Sequence, residues 1–175
     1  MIETLISSKT RIKLLFKFFL NSNNTAYLRS LEQEFGESTN AIRVELNRLE
    51  KAGMLKSFSQ GNRKVFQANQ QHPLYDEVHN ILRKHLGFDT IIEKVINRLG
   101  EVRKVFVLGS LAKGMDSEVV DLLIVGNVDE DYLSRLVERT QELVSKKILC
   151  SVISEAEFET KFDVYSESLL IWAND

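Results

Sequence analysis

With 175 residues, 43% of them hydrophobic and 27% charged, the chain can fill one large core or two small ones. No apolar run approaches the roughly 18 residues of a membrane span. The one cysteine, Cys150, excludes an internal disulfide and fits a reducing cytoplasm, and three scattered histidines offer no metal-ligand cluster. The net charge of −2 conceals an asymmetry: residues 1–70 hold 11 basic and 6 acidic side chains, a net of +5, whereas residues 71–175 hold 12 and 19, a net of −7. A basic segment joined to an acidic one directs a polyanion to the first alone. Chance clustering of surface charge is the plainer alternative.

In chain order, the first expected helix spans about Lys9 to Leu20, with Ile12, Leu15, Phe16 and Phe19 at core spacing. Its apolar stretch Leu14–Leu20 is broken by Lys17 and reads as a core helix rather than a signal peptide. A second helix is expected from about Thr25 to Phe35, burying Leu28, Leu31 and Phe35. Gly36 follows, a residue that tolerates the positive φ of a tight helix–helix turn. Ser38 or Thr39 caps a third helix that runs to about Ala52. Leu55–Ser59 and Val65–Ala68 alternate as strands around Gln60-Gly61-Asn62-Arg63, a hairpin signal. The only proline, Pro73, marks a junction, and an amphipathic connector with Leu74, Val78, Ile81, Leu82 and Leu86 ends near Gly87. Strands and helices then alternate to the end.

Helix, helix, turn, helix, hairpin is the order of a winged helix-turn-helix, which binds double-stranded DNA. In the third helix Ile42, Leu46 and Leu49 share one side, and Asn40, Arg43, Val44 and Asn47 share the other. Arg pairs with guanine, Asn with adenine, and Val44 suits a thymine methyl. Thr39 and Asn40, near the positive helix N-terminus, suit a phosphate instead. Arg63 and Lys64 at the hairpin tip are placed for an adjacent groove, with Lys9, Arg11, Lys13 and Arg29 as further phosphate contacts. An exposed polar helix in a small bundle is the alternative for any one of these residues. The segment also resembles the ArsR/MarR-like winged-helix regulators, through Arg11-Ile-Lys-Leu-Leu, Tyr27-Leu-Arg-Ser-Leu and above all Ala41–Leu55 followed by Gly61-Asn-Arg-Lys.

Farther on, Lys104-Val-Phe-Val-Leu-Gly-Ser-Leu-Ala-Lys-Gly is a strand running into Gly-Ser and a helix start. Gly109 lets a phosphate approach the backbone, and the Ser110 hydroxyl and helix N–H groups can hold it, with Lys113 beside them. A second apolar strand, Val119–Gly126, carries Asp121. Together these resemble the minimal nucleotidyltransferases of the polymerase-β-like superfamily, whose pattern is Gly-Ser, a short helix, then Asp-x-Asp on a strand. His72-Pro-Leu-Tyr, Asp121-Leu-Leu-Ile-Val-Gly and Val152-Ile-Ser-Glu-Ala-Glu-Phe extend the resemblance to bacterial proteins that fuse a winged helix to such a domain.

That resemblance implies Mg2+ and a nucleoside triphosphate, with paired carboxylates bridging two ions. Here Asp121 matches the second acid and Val119 falls at the first, where no oxygen is available to a hard cation. With another gap Asp121 is the first acid and Leu123 the second. A third acid is expected on Ile148–Ile153, which contains none. Asp116 and Glu118 lie in the intervening loop, but their spacing does not aim them at the same ion. Asp121 is therefore the one remnant metal ligand, and no catalytic set is complete.

The expected architecture is α+β. A winged helix-turn-helix spans residues 1–70, a connector helix 71–87, and a small nucleotidyltransferase-like domain with a mixed sheet 88–175. The expected function is a cytoplasmic, homodimeric transcriptional regulator whose second domain senses a nucleotide effector or dimerises. An active Mg2+-dependent nucleotidyltransferase targeted by its winged helix is the alternative.

Overall fold

In the computed structural model, residues 1–174 are described. The chain divides into two compact units, Met1–His85 and Leu86 onward. The expectation placed the boundary at 70, with a separate connector; the helix in question packs on the first unit instead.

The first unit begins with α1 (Lys9–Leu15), capped by Ser8, whose hydroxyl accepts the Arg11 N–H. Phe16–Leu20 continues it as a π-helical turn rather than regular α-helix. That wider turn buries every one of its five positions except Lys17: Phe16, Phe18, Phe19 and Leu20 are all 1% exposed or less. Each such side chain contributes about 1.5–3 kcal/mol on burial.

The second expected helix starts late. Thr25–Tyr27 is a short strand, β1, and α2 covers only Leu28–Phe35. A β-branched and an aromatic residue flank Ala26 there, and pairing with the hairpin satisfies their backbone better than a helical turn would. Gly36 (φ +64°) closes α2, its N–H bonded to Glu32 O. The next helix, α3 (Thr39–Lys51), is capped by Ser38, and its Ile42, Leu46 and Leu49 are buried. Then β2 (Leu55–Gln60) and β3 (Arg63–Ala68) form the hairpin; with β1 they make an antiparallel sheet in the order β1-β3-β2. Finally α4 (Tyr75–His85) sets Tyr75 against Phe19 at 5.7 Å and pairs His79 Nδ1 with Phe19 O at 2.7 Å. Of its expected apolar stripe Leu82 is fully buried, whereas Leu74 and Ile81 stand exposed.

The second unit opens with α5 (Phe88–Lys94), followed by β4 (Glu101–Leu108), the single-turn α6 (Gly109–Ala112) and β5 (Val119–Asn127). Next come α7 (Glu130–Val144), β6 (Lys147–Ile153), α8 (Glu155–Thr160) and β7 (Leu169–Ala173). The sheet order is β6-β5-β4-β7, with β4 antiparallel to both β5 and β7 and β6 parallel to β5, so the sheet is mixed as expected. One face packs Phe106, Leu108, Leu123, Val125 and Ile153 against Phe158 of α8 and Tyr165. The alternate residues Val105, Val107, Val120, Leu122 and Ile124 are fully buried on the other face. Both units together make the chain α+β. Among the described residues, no helix is long and apolar enough to cross a membrane.

Candidate functional site

On the first unit a groove of about 520 Å³ runs between the start of α2, the outer side of α3 and the hairpin tip. Of the seven residues expected on the third helix and hairpin tip, five line it, Thr39, Arg43, Asn47, Arg63 and Lys64, and of the four further phosphate candidates Arg29 does. Asn40 and Val44 are exposed on α3 outside the lining. The convergence follows from helical spacing. With Ile42, Leu46 and Leu49 packed inward, Arg43 and Asn47 at i and i+4 must share the opposite side.

Tyr27 was not among the residues the sequence pointed to, yet it shapes this groove. The Arg63 guanidinium lies 4.4 Å from the centre of its ring. β1 pairs Tyr27 with Val65, and Arg63 is two residues before Val65 on the same face, so the ring and the guanidinium are diagonal neighbours. Reading 25–27 as helix hid that pairing.

The remaining basic residues divide in two. Lys64 Nζ lies 2.7 Å from Glu50 Oε2, and the Ser57 hydroxyl donates to the same carboxylate. Those bonds hold the Glu50 carboxyl below its ordinary range. On α1, Arg11 Nε is 2.9 Å from Glu45 and Lys13 Nζ 2.6 Å from Glu37. Arg29, Arg43 and Arg63, by contrast, are exposed at the groove.

The second unit brings the other expected residues to one end of its sheet. β4 ends at Leu108 and turns through Gly109 (φ +67°) into Ser110. Asp121 pairs across the ladder with Leu108, so its carboxylate and the Gly-Ser turn share an edge. Gly109, Ser110 and Lys113 are all exposed, and Lys113 Nζ lies 3.7 Å from Glu167.

Among the described residues, the strand neighbours of Asp121 carry no second carboxylate. Val119 and Leu123 flank it on the same face of β5, and Leu149 of β6 is its register partner. Val119 pairs with Lys147 and Leu123 with Ser151. Asp116 turns away: its Oδ1 accepts from Ser117 N at 2.8 Å and lies 3.6 Å from Lys146 Nζ. The largely buried Lys146 also donates to Ser117 O at 2.6 Å, pinning the loop before β5. Among the described residues no three His, Cys, Asp or Glu side chains converge as a metal site would require.

Burial raises the Asp121 carboxyl above its ordinary range. The Cys150 thiol is pushed up to about 12, first by burial and then by the charge of Asp121. Such a thiol is not a nucleophile at neutral pH.

No protein-family profile matches the chain, and no curated protein sequence matches it. Among solved structures, the chain is similar to a crystal structure described as a "putative nucleotidyltransferase" from Sulfolobus solfataricus. The two are 20% identical, with a TM-score of 0.38, over 53% of this chain and 83% of that one.

Proposed function

We propose that the chain is a sequence-specific DNA-binding transcriptional regulator whose first unit is a winged helix-turn-helix. The observation that carries this reading is the shared groove of Thr39, Arg43, Asn47 and Arg63, with Arg29 at its rim. An exposed helix presenting Arg and Asn at one-turn spacing matches what base edges in the major groove offer. The hairpin tip beside it carries Arg63 to the neighbouring backbone or minor groove. The regulator acts as a homodimer, its two helices meeting half-sites about one helical turn apart.

The second unit, in this reading, is a nucleotidyltransferase-like domain that no longer turns over substrate and serves effector sensing or dimerisation. Two-metal chemistry needs at least two carboxylates on one site, and Asp121 has Val119, Leu123 and Leu149 around it. One observation favours the alternative, an active Mg2+-dependent nucleotidyltransferase: Asp121 stands beside the Ser110 turn, where a nucleotide phosphate would lie.

Selection of protein-bound fragments from a random duplex pool at near-physiological salt tests the proposal. A recovered palindromic motif supports the regulator. Recovery of unselected DNA that is released as salt rises defeats it, since such binding reads backbone charge alone. Incubation with labelled nucleoside triphosphate and Mg2+ tests the alternative, which requires label to be transferred to protein, RNA or a small acceptor.

A further inference from the structure

The strand β6 forms one edge of the second unit's sheet and pairs on one side only, with β5. Its sequence, Lys-Ile-Leu-Cys-Ser-Val-Ile, has one charge, at the first position, and no proline. Edge strands of soluble proteins are ordinarily guarded by charges, prolines or bulges. The register with β5 runs unbroken from Lys147 to Ile153, so no bulge turns this edge aside.

The orientation of its outer main-chain groups follows from two hydrogen bonds. The Lys147 N–H donates inward, to Glu118 O at the start of β5. The Ile148 N–H donates to Gln141 Oε1 of α7 at 2.8 Å. Alternate residues of a strand point their main-chain groups to opposite sides. Those of Cys150 and Val152 therefore face the same way as Ile148's, away from β5. A groove of about 590 Å³ lies along this edge between β6 and α7. Leu149 is 43% exposed beside it.

We infer that β6 is the homodimer interface, pairing antiparallel with β6 of a second copy about a two-fold axis through Cys150. Cys150 is the midpoint of the seven residues, so this register spans the whole strand, with the Ile148 N–H exchanging Gln141 Oε1 for the main chain of the second copy. Ile148 then faces Val152 and Leu149 faces Ser151 of the other copy, apolar against apolar or small polar. Lys147 faces Ile153, beyond which the second copy turns into α8, whose first turn carries Glu155 and Glu157. The lone charge of the strand thus meets an acidic turn, and no like charges oppose each other. The two sheets become one sheet of eight strands, which removes the open edge in both copies. This gives a location to the dimer of the regulator reading but rests on strand geometry, and its test uses no DNA.

Light scattering on the full chain at micromolar concentration, without DNA, should give twice the chain mass. The double variant Leu149→Lys/Ser151→Lys places like charges opposite each other at exposed positions, and should be monomeric while still unfolding in one cooperative transition, at a melting temperature that no longer depends on protein concentration. In a Cys150→Ser background, Leu149→Cys/Ser151→Cys should form a covalent dimer with oxidised glutathione, because those positions lie directly opposite in the proposed register. A monomeric wild type, a dimer that survives the two lysines, or no covalent dimer would each overturn the inference. A dimer that forms as described while no operator is selected would leave this interface standing and remove the regulator reading.

Discussion

Arg11 of α1 grips Glu45 on the inward side of α3, its Nε 2.9 Å from Oε2 and its Nη2 3.2 Å from Oε1. Ser8 and Arg48 also bond that carboxylate, at 3.2 Å and 3.3 Å. Glu45 is 7% exposed, so a charge on the inner side of α3 is held by three partners. The effect on the groove is indirect and specific. The bridge fixes the rotation of α3 against α1, and that rotation turns Arg43 and Asn47 outward. Arg11 is thus a basic residue whose main partner within the fold is a carboxylate of α3.

Removing either partner should loosen the first unit. We expect Arg11→Met or Glu45→Gln to cost about 1–3 kcal/mol at neutral pH, since a largely buried charge loses its main partner or the pair loses its charge. Burial pushes the Glu45 carboxyl up, but the bonds from Arg11 and Ser8 and the charge of Arg48 outweigh it and leave it below its ordinary range. Its stabilisation is then complete above the unfolded carboxyl value of about 4 and is lost as pH falls through the lower folded value. Urea melts at neutral and acid pH should therefore show a steeper acid loss for wild type than for Glu45→Gln. Parallel curves would mean that the bridge contributes nothing.

The groove predicts a ranking among its basic residues. Arg43→Ala should weaken operator binding by about 1–3 kcal/mol and relax the preference at one base position. Arg63→Ala should cost a similar amount, and Tyr27→Leu, which removes the ring under the guanidinium, should reproduce part of that loss. Lys64→Ala should cost less, because its ammonium is already paired with Glu50. Titrations of a selected duplex at two salt concentrations check this order. Equal losses for all four changes would reduce the groove to a diffuse positive surface.

Gly126 predicts a stability effect within the second unit. A Cβ added there would lie 2.2 Å from Glu101 O and 3.0 Å from Val102 Cα, both main-chain atoms of β4. The β4–β5 register shifts just beyond, between Val102 and Lys104, so the two backbones meet unusually closely at this point. Gly126→Ala should cost about 1–3 kcal/mol through forced backbone movement. Thermal unfolding of the second unit measures it.

Much of this arrangement was legible because it depends on local rules. Gly36 closes α2, Ser38 caps α3, the apolar spacing of α3 fixes its inner side, and Gly61-Asn62 closes the hairpin at the expected place. What escaped depends on partners distant in sequence. β1 is a strand only because Gln67, Phe66 and Val65 are there to pair with Thr25, Ala26 and Tyr27. The role of Arg11 likewise depends on a glutamate 34 residues away, and no local pattern distinguishes such a residue from one held out for phosphate. At the second site the single acid in the β5 block was readable, whereas its neighbours across the sheet, Leu108 and Leu149, required the register.

The same register makes Asp121 the most informative residue of the second unit. Among the described residues it makes no hydrogen bond or ion pair, and burial raises its pKa. For an acid whose folded value lies above the unfolded one, stability declines as pH rises from the unfolded value through the folded one. At neutral pH Asp121 therefore opposes folding, and Asp121→Asn should raise the melting temperature and flatten its fall with pH. Proteins retain such destabilising groups where a ligand or a reaction uses them. A cation or nucleotide that offsets the cost should accordingly stabilise wild type more than Asp121→Asn. Val119→Asp provides the complementary change. It sets a second carboxylate two residues away on the same face of β5, and should give tighter Mn2+ binding than wild type by calorimetry. If Val119→Asp binds Mn2+ no better and Asp121→Asn melts no higher, this end of the sheet is not a metal site and its acid is simply solvated.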